Sequence, residues 1–289
     1  MLVLGFDTAT PAVSVALHDG ARVISSASAL DVRRHSELLT PMIAKVLADA
    51  GVSRGDLGAV AVGVGPGPYT GLRVGVVTAR VLGSVLGLPV HGVCSLDIIA
   101  ASAVAARGGL GGPSPRASTA APGRGFLVAT DARRHEVYWA RYDAAGRRVA
   151  GPHVGRASSI PGAAGLPVAG AGGPLYPEAF GQVIGLAYPD AGVLCGLVAR
   201  SAAAPSAAAP AAAAPSSGQP PLLAATPLYL RRPDAREPGP PKRVTPYRLG
   251  GNDSPRTPPA LSPGGTHPPR PPLGRQPFPP DPLGPPAGP

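Results

Sequence analysis

The first part of the chain contains short apolar runs that alternate with polar turns. Residues 2–6 and 13–17 are two such runs, and the polar segment between them predicts a β-hairpin. A third strand is predicted at residues 22–25, after the turn-forming Asp19-Gly20 pair. The apolar positions of residues 38–47 change to a helical period, so a helix is predicted after the three strands.

Strand and helix signals then alternate along the chain. Residues 59–62 predict a strand, and the glycine-rich loop 63–70 leads into a helix at residues 71–86. Residues 88–93 predict another strand, and residues 96–106 predict a further helix. This order of elements favours an α/β fold.

The pattern of the first hairpin returns after residue 125. Asp131 follows the apolar residues 126–129 as Asp7 follows residues 2–6. Further identical residues stand at equal distances from these two aspartates: Val137 and Val13, Ala140 and Ala16, and Asp143 and Asp19. The repetition predicts an internal duplication, with two lobes that each begin with a strand, an aspartate turn and a returning strand. Chance alignment of so few positions is the alternative.

Proline divides the chain into parts of different composition. Residues 1–200 contain 14 of the 40 prolines and residues 201–289 contain 26, so the last third is unsuited to a packed core. The predicted order is a first lobe at 1–106, a linker at 107–125, a second lobe at 126–200, an Ala/Pro-rich spacer at 201–225, a closing strand segment at 226–235 and a disordered tail at 236–289.

The formal net charge of +10 does not mark a nucleic-acid-binding surface. Residues 1–200 carry 17 basic and 12 acidic residues and the remainder carries nine and four, without a cluster of lysine or arginine. The start of the chain lacks the basic segment of a signal peptide, and glycine and proline interrupt the charge-free stretches. We expect a cytoplasmic protein that does not contact a membrane.

Cysteine and histidine are too sparse for a disulfide framework or a metal centre. Cys94 and Cys195 are the only cysteines, and neither belongs to a C-x-x-C pair. No two of the six histidines are four residues apart, so a helical two-histidine metal site is excluded. We therefore expect no bound metal.

The helix predicted at residues 71–86 has a row of small residues. Gly71, Gly75, Ala79, Gly83 and Gly87 recur every four residues along one ridge. An interior glycine costs about 1 kcal/mol relative to alanine unless close backbone approach offsets the loss. The ridge therefore predicts close packing, either inside the same lobe or against a second protein.

The turn of the first hairpin combines a carboxylate with two hydroxyl groups. Asp7, Thr8 and Thr10 lie together between two predicted strands, and Asp131 occupies the corresponding turn of the second lobe. Two-lobed phosphotransferases hold magnesium and nucleotide phosphates at such turns, so these four residues are candidates for a vestigial nucleotide site. The simpler alternative is an aspartate that only forms the turn.

Five motifs occur together in this chain. They are Asp7-Thr-Ala-Thr10, Arg34-His-Ser-Glu-Leu-Leu-Thr-Pro41, residues 63–75 with their Gly-Pro-Gly-Pro-Tyr-Thr-Gly-Leu-Arg core, Asp131-Ala-Arg-Arg-His-Glu-Val-Tyr-Trp-Ala140 and Pro227-Leu-Tyr-Leu-Arg231. In this combination the chain resembles the TsaB family, also called YeaZ, strongly over residues 1–106 and 126–145 and again at 227–235. The resemblance implies a duplicated two-lobe actin/sugar-kinase/Hsp70-like fold.

The resemblance also implies a non-catalytic subunit rather than an enzyme that acts alone. Members of this family bind TsaD, which transfers threonylcarbamoyl to adenosine next to the anticodon of tRNA, and the ATPase TsaE joins the assembly. No catalytic residue and no intrinsic cofactor are then expected here, because ATP, magnesium and metal are held by the partner subunits. An active ATP-dependent phosphotransferase and a glycoprotease-like peptidase are the alternatives, and a homodimer of the isolated chain stays open.

The docking face of this family uses two helices of the amino-terminal lobe, which pack against the matching pair of TsaD. Carried onto this sequence, the implied partner-binding residues are His35, Leu38, Leu39, Met42, Val46, Gly71, Arg73, Val74, Gly75, Thr78 and Leu82. The glycine ridge would let the helices of the two proteins approach closely. A bulky side chain at Gly75 is accordingly expected to abolish partner binding while the monomer stays folded.

Overall fold

The computed structural model describes residues 1–108, 125–203 and 220–231. The predicted disordered tail and most of the predicted linker and spacer lie outside these residues. In chain order the elements are β1 (Leu2–Asp7), β2 (Ala12–His18), β3 (Val23–Leu30), α1 (His35–Asp49), β4 (Leu57–Gly63), α2 (Tyr69–Leu86), β5 (Val90–Val93), α3 (Ser95–Gly108), β6 (Phe126–Asp131), β7 (Val137–Tyr142), β8 (Arg148–Gly155), β9 (Val168–Ala169), α4 (Gly172–Leu175), β10 (Val183–Ile184) and α5 (Ala191–Ala203).

The first sheet has the strand order β3-β2-β1-β4-β5. Its first three strands are antiparallel neighbours, as the alternating apolar runs predicted, and β4 and β5 continue the sheet in parallel with β1. The third strand is longer than predicted and reaches Leu30, because its serine and alanine residues pair along the whole of β2.

The second sheet repeats this arrangement in the order β8-β7-β6-β9-β10. Here too the three strands β6, β7 and β8 are antiparallel, and β9 and β10 run parallel to β6. Asp7 and Asp131 are the last residues of β1 and β6, the equivalent strands of the two sheets. The predicted duplication and the two-lobe actin/sugar-kinase/Hsp70-like fold are therefore confirmed.

Helices α1 and α2 cover one face of the first sheet. Leu39 and Val46 of α1 and Leu72 and Val76 of α2 are buried in one hydrophobic cluster with the sheet residues, among them Phe6. Helix α2 ends at Leu86, and the next residue, Gly87, has a φ of +66° and forms a left-handed cap that a glycine adopts without strain. The buried apolar stripe of each helix thus fixes which side faces the sheet and leaves the other side outside the lobe.

Helix α5 corrects the predicted boundary of the second lobe. Although its residues follow the second sheet in the chain, Leu194, Cys195 and Val198 are buried against Val3 and Ala59 of the first sheet. Gly5 allows this contact, since a Cβ atom at that position would overlap the Cys195 sulfur. Residues 126–200 therefore do not form one lobe, because the apolar face of α5 covers the free side of the first sheet.

The predicted closing strand at 226–235 is not formed in residues 226–231, the part of it that the structure describes. The chain instead makes a single antiparallel bridge between Leu223 and Gly92, with both backbone hydrogen bonds at 2.8 Å. The amide of Leu228 then donates to the carbonyl of Val64 at 2.8 Å. These isolated contacts hold the segment 220–231 at the edge of the first sheet without a continuous ladder.

Among the described helices, none is both long enough and apolar enough to cross a bilayer.

Candidate partner-docking face

The outer side of α2 carries a row of large side chains. Tyr69, Arg73, Val77, Val81 and Val85 recur every four residues, and all five are exposed. The three valines are 52%, 55% and 76% exposed, although valine is usually buried. We call this row the outer ridge of α2.

A groove runs beside the outer ridge, between α1 and α2. Its volume is about 810 Å³, and Ile43, Ala44 and Leu47 of α1 face Val77 and Val81 of α2 across it. Lys45 and Asp49 on the outer side of α1 are paired with each other at 2.7 Å. The groove is thus mainly apolar, although its lining also includes Thr40, Ser53, Arg54 and Thr78. The charged pair on the neighbouring part of α1 is already neutralised.

The glycine ridge lies on the opposite side of α2 and packs inside its own lobe. A Cβ atom at Gly71 would lie 2.7 Å from the Thr8 carbonyl oxygen, and one at Gly75 would overlap the Thr8 hydroxyl. At Gly83 a Cβ atom would overlap Val90 of β5. Of the two predicted uses of the ridge, packing within the lobe is therefore correct and docking of a second protein is wrong.

The structure separates the predicted partner-binding residues by their burial. Buried in the lobe are His35, Leu39, Val46, Gly71 and Gly75. Partly buried are Leu38, Met42, Val74, Thr78 and Leu82, and Arg73 is exposed. The five buried residues are corrections, since the sheet and the first hairpin already occupy the space that a partner would need. A bulky side chain at Gly75 would overlap the Thr8 hydroxyl, so it would disturb the packing of the lobe and not only the contact with a partner.

Asp7 is enclosed by its own lobe. Its side chain has no exposed surface, and its carboxylate accepts hydrogen bonds from the amide of Ala9 at 2.8 Å and from the hydroxyl of Ser95 at 2.5 Å. Burial raises the pKa of this carboxyl above its usual value, and the two hydrogen bonds oppose part of that rise. The carboxylate therefore holds the first turn against the start of α3.

The two threonines of the same turn are also engaged. The Thr8 hydroxyl donates to the carbonyl of Gly71 at 2.8 Å and accepts from the amide of Gly75 at 3.0 Å, which joins the turn to α2. The Thr10 hydroxyl accepts from the amide of Ala12 at 3.3 Å. These bonds explain why the turn and the glycine ridge occur together in the sequence.

The predicted nucleotide-site residues are divided between two cavities. A cavity of about 220 Å³ is lined by Thr8 and Thr10 together with Arg33 and Arg133. Asp131 lines a different one of about 340 Å³, again with Thr10. Asp7 lines neither of them.

Asp131 is bound within its own turn. It accepts a hydrogen bond from the amide of Arg133 at 2.7 Å, and its carboxylate lies 3.5 Å from the guanidinium of the same residue. No group of three or more His, Cys, Asp or Glu residues within the described ranges is arranged to hold a metal ion.

Comparison with known proteins agrees with this architecture. The family model of TsaD, the tRNA N6-adenosine threonylcarbamoyltransferase, matches residues 27–171. An uncharacterized protein of Mycobacterium tuberculosis is 40% identical over 237 residues, which are 81% of this chain and 93% of that protein. The chain belongs to the TsaD family and is a TsaB-like member of it.

Two further comparisons support the TsaB-like assignment. The tRNA threonylcarbamoyladenosine biosynthesis protein TsaB of Escherichia coli is 37% identical over 143 residues, which are 49% of this chain and 55% of that protein. The solved structure of YeaZ from Pseudomonas aeruginosa has a TM-score of 0.60 and 27% identity, over 79% of this chain and 99% of that one. The resemblance found in the motifs is thereby confirmed.

The sequence of this TsaB-like chain contained an unused signal for the outer ridge. Val77, Val81 and Val85 each follow a small residue of the glycine ridge by two positions. Two positions turn about 200° around a helix, so the two rows must lie on opposite sides of α2. Since the glycine row packs against the sheet, the valine row is the one that faces outward.

Proposed function

We propose that this chain is a non-catalytic subunit of the machinery that makes threonylcarbamoyladenosine in tRNA, and that it binds the TsaD-type transferase. The contact surface is the outer ridge of α2 with the adjoining groove against α1. TsaE and the tRNA substrate join the resulting assembly, and the partner subunits hold ATP, magnesium and metal. The names of the TsaB relatives support the pathway, and the exposed valines support the binding role.

The exposed valine row is the observation that carries this proposal. Complete burial of one valine side chain contributes about 1.5 kcal/mol or more, and three valines lie in line on one rigid helix. A row of large apolar residues beside an apolar groove is typical of a protein–protein contact surface. A helix laid along the groove would remove both from water.

The family match supports a helical partner for this surface. The residues matched by the TsaD model include all of α1 and α2, so a TsaD chain contains a corresponding pair of helices. Two helix pairs with exposed apolar grooves can pack as a four-helix bundle, which closes both grooves at once. The same face would serve a homodimer when TsaD is absent.

The environment of Asp7 weighs against an independent phosphotransferase. In that alternative the Asp7 carboxylate would hold magnesium, which needs an oxygen atom that faces the nucleotide cavity. Its carboxylate is instead enclosed and hydrogen-bonded to Ser95 and to the backbone of Ala9. This arrangement supports a subunit whose first turn has a structural role.

A charge placed on the outer ridge tests the proposed function. We expect Val81→Glu to prevent formation of a one-to-one complex with the cognate TsaD, since an unpaired carboxylate would be buried in the contact. Val149→Glu is the matched control, because Val149 is exposed to a similar degree, 59%, but lies on β8 of the second sheet. Co-expression followed by size-exclusion chromatography with light scattering measures the complex.

The same two variants separate partner binding from pathway activity. With TsaD, TsaE, ATP, threonine, bicarbonate, the adenylate-forming enzyme and tRNA supplied, Val149→Glu is expected to support modification and Val81→Glu is not. A Val81→Glu variant that forms the complex as well as the wild type would refute the proposed contact surface. Modification activity of the isolated chain without TsaD would refute the non-catalytic role.

A further inference from the structure

The outer ridge of α2 changes character toward its amino-terminal end. Val77, Val81 and Val85 form its apolar part, whereas Tyr69 and Arg73 continue the same row with an aromatic ring and a guanidinium group. Tyrosine and arginine are among the residue types that most often dominate the binding energy of protein interfaces. The contact surface of the proposed function therefore has a natural extension at this end of the helix.

A residue from the carboxyl-terminal segment joins this end of the ridge. The ring of Tyr229 stacks on the ring of Tyr69 with 5.0 Å between centroids and 25° between planes. The guanidinium carbon of Arg73 lies 5.0 Å from the centre of the Tyr69 ring, and its Nη1 atom donates to the Tyr69 hydroxyl at 2.8 Å. Both rings remain partly in solvent, with 47% of Tyr69 and 40% of Tyr229 exposed. We call these three residues the tyrosine–arginine cluster.

The cluster is held in place before any partner arrives. On one side of Tyr229 the amide of Leu228 donates to the carbonyl of Val64, and on the other side Arg231 donates to the carbonyl of Ala132 at 2.8 Å. Side chains that are already ordered lose little conformational entropy on binding, which favours affinity. The segment 220–231 therefore presents Tyr229 in a fixed position beside α2.

The charge of the ridge indicates the chemistry of its occupant. Helix α2 contains Arg73 and Arg80 but no acidic residue. No carboxylate among the described residues forms an ion pair with Arg73. A guanidinium that lies beside an aromatic ring can bind a carboxylate with two hydrogen bonds. An identical α2 would bring no such carboxylate, and of the two carboxylates on α1, Glu37 and Asp49, the second is already paired with Lys45. An acidic helix of a different protein therefore suits the ridge better than a second copy of this chain.

We propose that the partner contact extends from the valine row onto the tyrosine–arginine cluster, where a carboxylate on a helix of the TsaD partner binds Arg73 against the Tyr69 ring. This inference rests on the proposed function, because it names further residues of the same contact surface. It adds Tyr229, and with it the carboxyl-terminal segment, to the residues that determine affinity and specificity for the partner.

Two substitutions in the cluster test the inference by isothermal titration calorimetry of the full chain with the cognate TsaD. Tyr229→Ala is expected to weaken binding roughly tenfold or more, whereas Tyr229→Phe keeps the stacked ring and binds within about threefold of the wild type. Arg73→Glu is expected to weaken binding roughly thirtyfold or more, because the new carboxylate repels the acidic partner. Arg156→Glu, at an exposed position after β8, is the charge control and leaves affinity unchanged.

The outcomes keep this inference separate from the proposed function. If Val81→Glu prevents complex formation while Tyr229→Ala and Arg73→Glu bind like the wild type, the cluster is not part of the contact and only the inference fails. If Val81→Glu also binds like the wild type, the proposed function fails. If Arg73→Glu alters self-association but not TsaD binding, the occupant is a second copy and the inference is overturned. Thermal melting checks that Tyr229→Ala is folded, and the exposed Arg73→Glu substitution provides a second test.

Discussion

Two aspartates at equivalent positions of the duplicated lobes have different environments. Asp7 is fully buried and bound to Ser95, whereas the Asp131 side chain is partly exposed and pairs with Arg133. The pKa of the Asp7 carboxyl is raised, chiefly by burial. The same turn in the two lobes therefore places one carboxyl in the protein interior and the other at a surface cavity.

Substitution of Asp7 is predicted to change the pH dependence of stability. Because the pKa of its carboxyl is higher in the folded chain than the usual 3.8, the folded state binds the proton more tightly than the unfolded state. Its contribution to stability is fully present below that usual value and is lost as pH rises through the raised pKa. Asp7→Asn removes this loss. As pH rises, the free energy of unfolding of Asp7→Asn should therefore fall less than that of the wild type, and urea denaturation at several pH values measures both.

Asp19→Asn is the control with the opposite sign. Backbone amides of Arg22 and Ala21 lower the pKa of the exposed Asp19 carboxyl, so this group contributes stability above its usual pKa and loses it as pH falls. Identical pH profiles for the wild type and Asp7→Asn would contradict the buried, titrating state of Asp7.

At the scale of the element, α2 has two rows of residues with different tasks. The small residues of the glycine ridge bring the helix close to Thr8 and β5, and the outer ridge faces away from the lobe. Close approach lets the Thr8 hydroxyl bond to the backbone of α2 at Gly71 and Gly75. The position of the proposed docking face thus depends on the packing of the opposite side of the same helix.

Gly75→Ala is predicted to destabilise the protein by about 1–3 kcal/mol, because its methyl group would overlap the Thr8 hydroxyl. Alanine is otherwise the better helix former, so a stabilised variant would contradict this packing. Combination with Thr8→Ala removes the overlapping hydroxyl, and the double variant should lose less than the sum of the single losses. A double-mutant cycle by chemical denaturation measures this coupling. Gly155→Ala, where a Cβ atom meets nothing, is the control.

At the scale of the molecule, the first lobe is completed by segments that follow the second sheet. Helix α5 buries Leu194 and Val198 against the first sheet, and Leu223 bridges to Gly92 of β5. Helix α3 lies between the two sheets, with Ile98 buried in the cluster of the first and Ile99 in that of the second. The two lobes are therefore not independent units of the chain.

A fragment of residues 1–106 is accordingly predicted not to fold alone. Without α5, the face of the first sheet that carries Val3 and Ala59 would be exposed to water. Thermal unfolding followed by circular dichroism should show a cooperative transition for the full chain and none for the fragment. In the full chain, Leu194→Ala should reduce the free energy of unfolding by about 2–5 kcal/mol. A cooperative transition of the fragment would contradict the shared core.

Local patterns predicted much of this fold. The predicted strands at residues 2–6 and 13–17 correspond to β1 and β2 of the structure. They were predictable because the apolar runs and the polar turn between them are properties of neighbouring residues. The duplication was visible because both hairpins keep an aspartate at the same place. For the candidate site, the sequence predicted the two helices α1 and α2 but not the side of α2 that faces outward. A helical period shows that the glycine ridge and the outer ridge lie on different sides of α2, but it does not show which of them meets the sheet.

The sequence by itself determined the α/β class, the repeated lobes and the family, and it indicated the helices of the proposed contact surface, because each depends on local order or on similarity along the chain. The tertiary structure decided that Gly75 faces Thr8 while Val81 faces outward, that α5 covers the first sheet, and that Tyr229 stacks on Tyr69. These contacts join residues far apart in the chain. Their choice depends on which surfaces can be buried together, and this is settled only when the whole core packs.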